Sequence, residues 1–298
     1  MKPTPAHFAA MASFTIWGLL PIYWKFFIEV GSWDLFAYRL SWSFLTLFIY
    51  LALKGKLSTF LEIWHDRRKR ILLTISAGLI SSNWLLYIYA INHGKVLEAS
   101  MGYFLNPLIL IFLGRIIFKE KIRGTQWPSI VLATIAIGLI ALQSDFYHIP
   151  WIALILSITF ALYGLIRKMV QVGSLEGLFF ETSVVIIPVM IAWGFQETSP
   201  LTAYSLLPIG KFLVLMLSGI LTCLPLILFA YGAKRLPFST LGFFQYLSPS
   251  FKFMCGLWIF NEALQTERLN AFILIWIALA WYTAESYIFR PRASKIKA

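Results

Sequence analysis

Ala99-Ser-Met-Gly-Tyr-Phe-Leu-Asn-Pro107 runs on to Gly114 and closes on Phe118-Lys-Glu120, and about 140 residues later the chain repeats the pattern. The second copy is Ser239-Thr-Leu-Gly-Phe-Phe-Gln-Tyr-Leu-Ser-Pro249, with Gly256 and Phe260-Asn-Glu262 behind it. Gly102 falls on Gly242. Two extra residues, taken as Gln245-Tyr246, then bring Pro107 onto Pro249, Gly114 onto Gly256 and Glu120 onto Glu262. A duplicated segment of this length divides the chain into two related halves, residues 1–145 and 146–298.

The composition decides the solvent. With 59% hydrophobic and 13% charged residues in 298, and a mean hydropathy of +0.77, the chain has too little polar surface to cover a water-soluble globule. Apolar runs near the roughly 20 residues needed for a helical crossing of the bilayer recur about ten times, at 6–28, 33–54, 71–92, 97–118, 127–145, 150–170, 177–194, 211–233, 237–260 and 269–289. A β-barrel would alternate polar and apolar residues, whereas Ile130–Leu142 and Leu213–Ala230 are nearly unbroken apolar runs. The expected fold is an all-α polytopic membrane protein. The first run lacks a basic leader and a small-residue cleavage site, so it reads as a retained helix. Cys223 and Cys255 both fall in apolar runs and read as packing residues, not a disulfide.

A net charge of +12 would suit nucleic acid, but its placement follows the membrane. Lys54, Lys56, Arg67–Arg70, Lys119, Lys121, Arg123, Arg167, Lys168, Lys234, Arg235 and the basic tail all fall on one side. The other side holds only Lys95, Lys211 and Arg268. By the positive-inside rule both termini are cytoplasmic. Five crossings per half is an odd number, so the second half starts on the opposite side and the halves are inverted repeats, an arrangement that supports alternating access. Fainter echoes agree: Phe160–Lys168 resembles Trp17–Lys25, and Val172-Gly173-Ser174 matches Val30-Gly31-Ser32.

Pro107 and Pro249 both lie near mid-membrane and, with Pro21 in the first span, are the candidate hinges, because proline removes a helical hydrogen bond. Around them cluster Tyr103, Asn106, Gln245 and Tyr246. In the third span Asn83 and Tyr87 share a helical face. Amides and aromatics at one depth suit a substrate with an apolar body and a polar head, although helix packing also uses such an Asn. Four basic residues remain inside spans. Arg115 and Lys25 are close enough to a span end to snorkel, Arg39 has Asp34 or Glu29 within reach, and Lys252 lies deeper. Lys25 and Arg39 are placed at the outer mouth. Glu181 and Glu285 are the acids at membrane depth, and the coupling mode stays open. No phosphate loop, paired-His zinc motif, Cys-x-x-Cys or nucleophile elbow occurs, so the sequence calls for no cofactor or metal and no enzyme chemistry. Thr134/Gly138 and Ala280/Ala284 are small-residue pairs that fit internal packing, a homodimer or a non-transporting scaffold equally.

Trp17-Gly with Pro21-Ile-Tyr-Trp-Lys25, Tyr38-Arg39 with Ser41-Trp42, Asn83-Trp84 with Tyr87, Glu98–Pro107 and Leu241–Tyr246 closely resemble the RarD proteins of the EamA family, within the drug/metabolite transporter superfamily. Tyr38 departs from the pattern, which has His before the Arg. The resemblance implies two inverted five-helix repeats around a central cavity in a bacterial inner membrane. It also implies secondary transport, in the export direction, of small amphipathic metabolites or drugs. The partners expected are a small-molecule substrate and the lipid bilayer, with no nucleic acid.

Overall fold

The computed structural model describes residues 4–27, 30–92, 96–141, 151–195, 208–259 and 266–288. Every apolar run in these stretches is helical, and no strand occurs among the described residues. In order, the helices are α1 (Pro5–Trp24), α2 (Ser32–Leu53), α3 (Ser58–His65), α4 (Arg67–Asn92), α5 (Val96–Ile117), α6 (Trp127–Ala141), α7 (Trp151–Met169), α8 (Ser174–Gly194), α9 (Ile209–Arg235), α10 (Phe238–Gln245), α11 (Leu247–Trp258) and α12 (Thr266–Ile288). Among the described residues, 6 helices are long and apolar enough to cross a membrane by themselves, with shorter apolar stretches at Met101–Ile117 and Leu269–Glu285. The chain is a polytopic helical membrane protein.

Two features depart from the ten simple spans. The run at 237–260 is not one helix: it breaks between Gln245 and Leu247, at the two residues by which the second copy exceeds the first. The basic stretch 54–70 also holds α3, where Phe60 and Trp64 pack on Phe180 while Leu61 stays exposed. Flanked by Lys54, Lys56, Arg67 and Arg68, it has the make-up of a helix lying at the lipid headgroups. Asp66 then starts α4 by accepting a hydrogen bond from the Lys69 amide at 3.0 Å. That amide, helped by the Lys69 ammonium, holds the Asp66 carboxyl below its usual range. A lowered acid stabilises the fold above its unfolded pKa, near about 3.9, and stops doing so as pH falls through the lowered value. Asp66→Ala should therefore lower the unfolding midpoint at neutral pH, with the gap to wild type closing as the pH falls through the lowered Asp66 value.

The helix starts carry the repeat. α2 begins at Gly31 with Asp34 in its first turn, and α8 begins at Gly173 with Glu176 in its first turn, each acid complementing the positive end of the helix dipole. Contacts come in matched sets. α1 packs on α9 as α7 does on α4, α1 on α11 as α7 on α5, and α2 on α9 as α8 on α4; α2 meets α8, α5 meets α10 and α6 meets α12. Ala133, Ala136, Ala271, Ile275 and Ala278 bury the α6–α12 contact, leaving Thr134, Gly138, Ala280 and Ala284 facing outward.

One joint ties α5 to α10. α5 ends with Lys119 in the left-handed region at φ 52°, and the Glu120 amide folds back to the Gly114 carbonyl at 3.0 Å. This turn aims the Glu120 carboxylate at the start of α10. It accepts from the amides of Phe238 (2.6 Å) and Ser239 (3.0 Å) and from the Ser239 hydroxyl (2.8 Å). Gly114 leaves the space: a Cβ there would lie 2.7 Å from Glu120 Oε2 and 3.0 Å from Phe238 Cβ.

Candidate functional site

α1, α2, α4, α5, α7 and the α10–α11 break meet around a cavity of about 130 Å³. The wall is built by helical spacing. Trp17, Pro21 and Trp24 are one turn apart on α1, Asn83 and Tyr87 on α4, Tyr103 and Asn106 on α5, and Ser248 and Lys252 on α11. Leu156 and Phe160 of α7 complete the wall. Trp17 and Phe160 meet edge-on with centroids 5.6 Å apart, and Tyr87 meets Tyr103 at 5.7 Å.

The amides serve as both struts and wall. Asn83 Nδ2 donates to the Leu156 carbonyl (2.7 Å) and the Thr159 hydroxyl (2.9 Å), which fastens α4 to α7. Asn106 Nδ2 donates to the Ser157 carbonyl at 2.6 Å, fastening α5 to the same helix. Two of the cavity amide oxygens are unused: Asn106 Oδ1 and Gln245 Oε1 are buried with no hydrogen-bond partner among the described residues. Buried polar atoms without partners are uncommon and mark places where water or a ligand can complete the bonding.

The prolines act on the same wall. Pro21, Pro107 and Pro249 each lack the amide that would bond the carbonyl four residues back, and those carbonyls belong to Trp17, Tyr103 and Gln245, all cavity residues. Their helical settings differ. α5 continues through Pro107, whereas Pro249 stands in the first turn of α11, where an amide has no helical partner to lose.

Of the residues singled out from the sequence, Asn83, Tyr87, Tyr103, Asn106, Gln245 and Arg39 line the cavity, as do Pro21 and Pro249. Tyr246 does not. It is fully buried on the far side of α10 in an apolar cluster with Phe243, because consecutive helical residues point about 100° apart. Pro107 is buried against Gly242 at the α5–α10 crossing. Lys25 lies outside the wall, and its Nζ donates to the Ile259 carbonyl at 3.0 Å. Lys252, read as lying deeper than a span end, also lines the wall, and Trp17, Trp24, Trp84, Phe160 and Ser248 join it without having been chosen as candidates. Helical spacing from chosen neighbours points to several of them: Trp17 precedes Pro21 by one turn, and Trp84 precedes Tyr87 by one.

Charges at the site correct one expectation. Asp34 is not the partner of Arg39, since its Oδ1 accepts from Trp193 Nε1 at 2.8 Å; Glu29 lies outside the described residues. Arg39 instead sits over two indoles, 4.4 Å from the Trp84 ring centroid and 5.6 Å from that of Trp24. The two acids at membrane depth are also engaged away from the cavity. Glu181 pairs with Arg167 at 3.6 Å and accepts from Ser76 Oγ at 2.6 Å, while Glu285 pairs with Arg123 at 2.8 Å and accepts from Thr125 at 2.6 Å. No cluster of metal-ligating side chains occurs among the described residues.

The profile of the EamA-like transporter family matches residues 4–142. The chain is 36% identical to Protein RarD of Escherichia coli (strain K12), over 96% of this chain and 96% of that protein. It is 37% identical to an uncharacterized transporter, YojE, of Bacillus subtilis (strain 168), over 95% and 94% of the two chains. A more distant relative, 23% identical over 91% of this chain and 90% of its own, is the chloramphenicol-sensitive protein RarD of Pseudomonas aeruginosa. A crystal structure only 16% identical superposes with a TM-score of 0.72 over 94% of this chain and 97% of that one, which shows a shared fold.

Proposed function

Because the chain belongs to the EamA-like transporter family, we propose that it is a secondary transporter that exports small amphipathic metabolites or drugs by alternating access through the cavity just described. The observation that carries this reading is the convergence of helices from both halves on one partly polar cavity holding two unpartnered amide oxygens. Its size fits a closed state. At about 130 Å³ it is smaller than the roughly 300 Å³ at which small-molecule sites begin, so the helices must part to admit or release cargo.

The same reading treats residues 1–145 and 146–298 as inverted repeats, supported by the matched starts at Gly31 and Gly173 and by the paired helix contacts. It places the protein in a bacterial inner membrane with both termini in the cytoplasm, supported by the one-sided basic residues.

Counterflow in proteoliposomes tests the proposal. Vesicles preloaded with unlabelled amino acids and amphipathic acids should take up a labelled member of the panel, and Tyr103→Ala and Gln245→Ala should each lower the initial rate about tenfold or more. That corresponds to the loss of roughly 1.4 kcal/mol of binding. No uptake of any member by folded protein, or full rates in both variants, would remove the cavity from the pathway. Dependence on an imposed pH gradient would add proton coupling.

A further inference from the structure

We propose that the cargo of this cavity is an organic anion, with a ring-sized apolar body and a net negative charge; the inference rests on the cavity being the transport site. Two cations face the space. Lys252 places its Nζ 3.9 Å from the centroid of the Tyr103 ring, and Arg39 lies over Trp84 and Trp24. Among the described residues neither makes an ion pair, and Arg39 Nε is buried without a hydrogen-bond partner. Three acids of the described residues are already engaged elsewhere, Asp34 by Trp193, Glu181 by Arg167 and Glu285 by Arg123. Among the described residues the cavity wall therefore carries two like charges at membrane depth and nothing of the opposite sign. Buried charges in membranes are otherwise paired or face a water-filled path.

The second half shows what is missing. Arg39 and Glu181 stand the same distance past the matched helix starts Gly31 and Gly173. In the second half Glu181 supplies an internal counter-ion, and the Arg167–Glu181 pair is sealed from solvent, at 0% and 1% exposure. In the first half the equivalent position holds a cation, so the counter-charge has to arrive with the cargo. A zwitterion would bring its ammonium against two cations with no carboxylate to receive it, and a free amine would fare worse. The indoles and phenols of Trp17, Trp24, Trp84 and Tyr103 provide the apolar walls for the body.

Four probes of one size separate the alternatives: phenylacetate, phenylacetamide, L-phenylalanine and phenethylamine, each titrated at neutral pH against the full chain in lipid nanodiscs. Phenylacetate should bind at least tenfold more tightly than the amide or the amino acid, and phenethylamine should bind least. Arg39→Gln and Lys252→Gln should each erase most of that preference, while Arg39→Lys and Lys252→Arg, which keep the charge, should retain it. If a Gln variant fails to fold, the charge-keeping variants and the wild-type ranking still decide. Equal or tighter binding of the amide or the amine would overturn the anion assignment and leave the transport reading standing. Absence of binding by all four to folded protein would overturn both.

Discussion

Replacing Glu181 by alanine is expected to destabilise the protein by about 3–5 kcal/mol, because it leaves the Arg167 guanidinium buried without a counter-ion. The surroundings cannot substitute. Arg167 Nη2 already donates to the Ser174 carbonyl at 2.8 Å, and Gly177 stands where a Cβ would fall on the guanidinium, so there is no room for it to swing out. Pairing in the interior is weak evidence for net stability, since desolvation of both ions opposes it. The double replacement Arg167→Met with Glu181→Leu should therefore recover most of the loss, to within about 1 kcal/mol of wild type. Denaturant unfolding in mild detergent reads both values. A single variant as stable as wild type would mean that Arg167 finds another partner.

The second large effect concerns Gly18. A Cβ at this position would stand 2.5 Å from Phe251 Cβ and 2.9 Å from the Ser248 carbonyl oxygen, so α1 and α11 touch backbone to backbone beside the cavity. Gly18→Ala should cost about 1–3 kcal/mol through overpacking, against an Ala helix preference of at most about 1 kcal/mol. Because the displaced residues neighbour Trp17 and Ser248 in the cavity wall, counterflow should fall further than stability does. Gly78→Ala is the matched control. It adds a Cβ with nothing within 4 Å and should leave stability unchanged or raise it slightly. Equal effects at the two positions would show that the close approach is absent in the membrane.

The helices were legible because a bilayer leaves so few solutions. Twenty apolar residues with satisfied backbone groups read as one crossing, and the described helices fall on the expected spans. The break in the ninth span was visible as two surplus residues in the repeat, though not as a break, since Phe244–Leu247 carries no glycine or proline to announce one. α3 escaped because eight residues in a basic stretch are too few for periodicity to stand out. The cavity was half legible. Asn83, Tyr87, Tyr103, Asn106 and Gln245 stood out as polar or aromatic residues in an apolar setting. The tryptophans did not, because membrane proteins use that residue at interfaces as well. Tyr246 was chosen by nearness to Pro249 along the chain, but facing depends on angle around the helix and not on sequence distance. Of the two acids within reach of Arg39 along the chain, Asp34 was engaged by an indole instead, and Glu29 lies outside the described residues.

The joint between α10 and α11 has a mechanical consequence. α10 is held to α5 by the three bonds to Glu120 and by the Gly242–Pro107 contact, while α11 is clamped to α1 across Gly18. The ninth crossing is thus bolted to two different bodies, with Tyr246 as the one residue between the two helices. Any movement that separates α1 from α5 has to be taken up by a few backbone torsions there, beside Gln245 and Ser248 of the cavity. In the proposed transport, opening of the cavity would turn this elbow, so stiffening the backbone there should slow it.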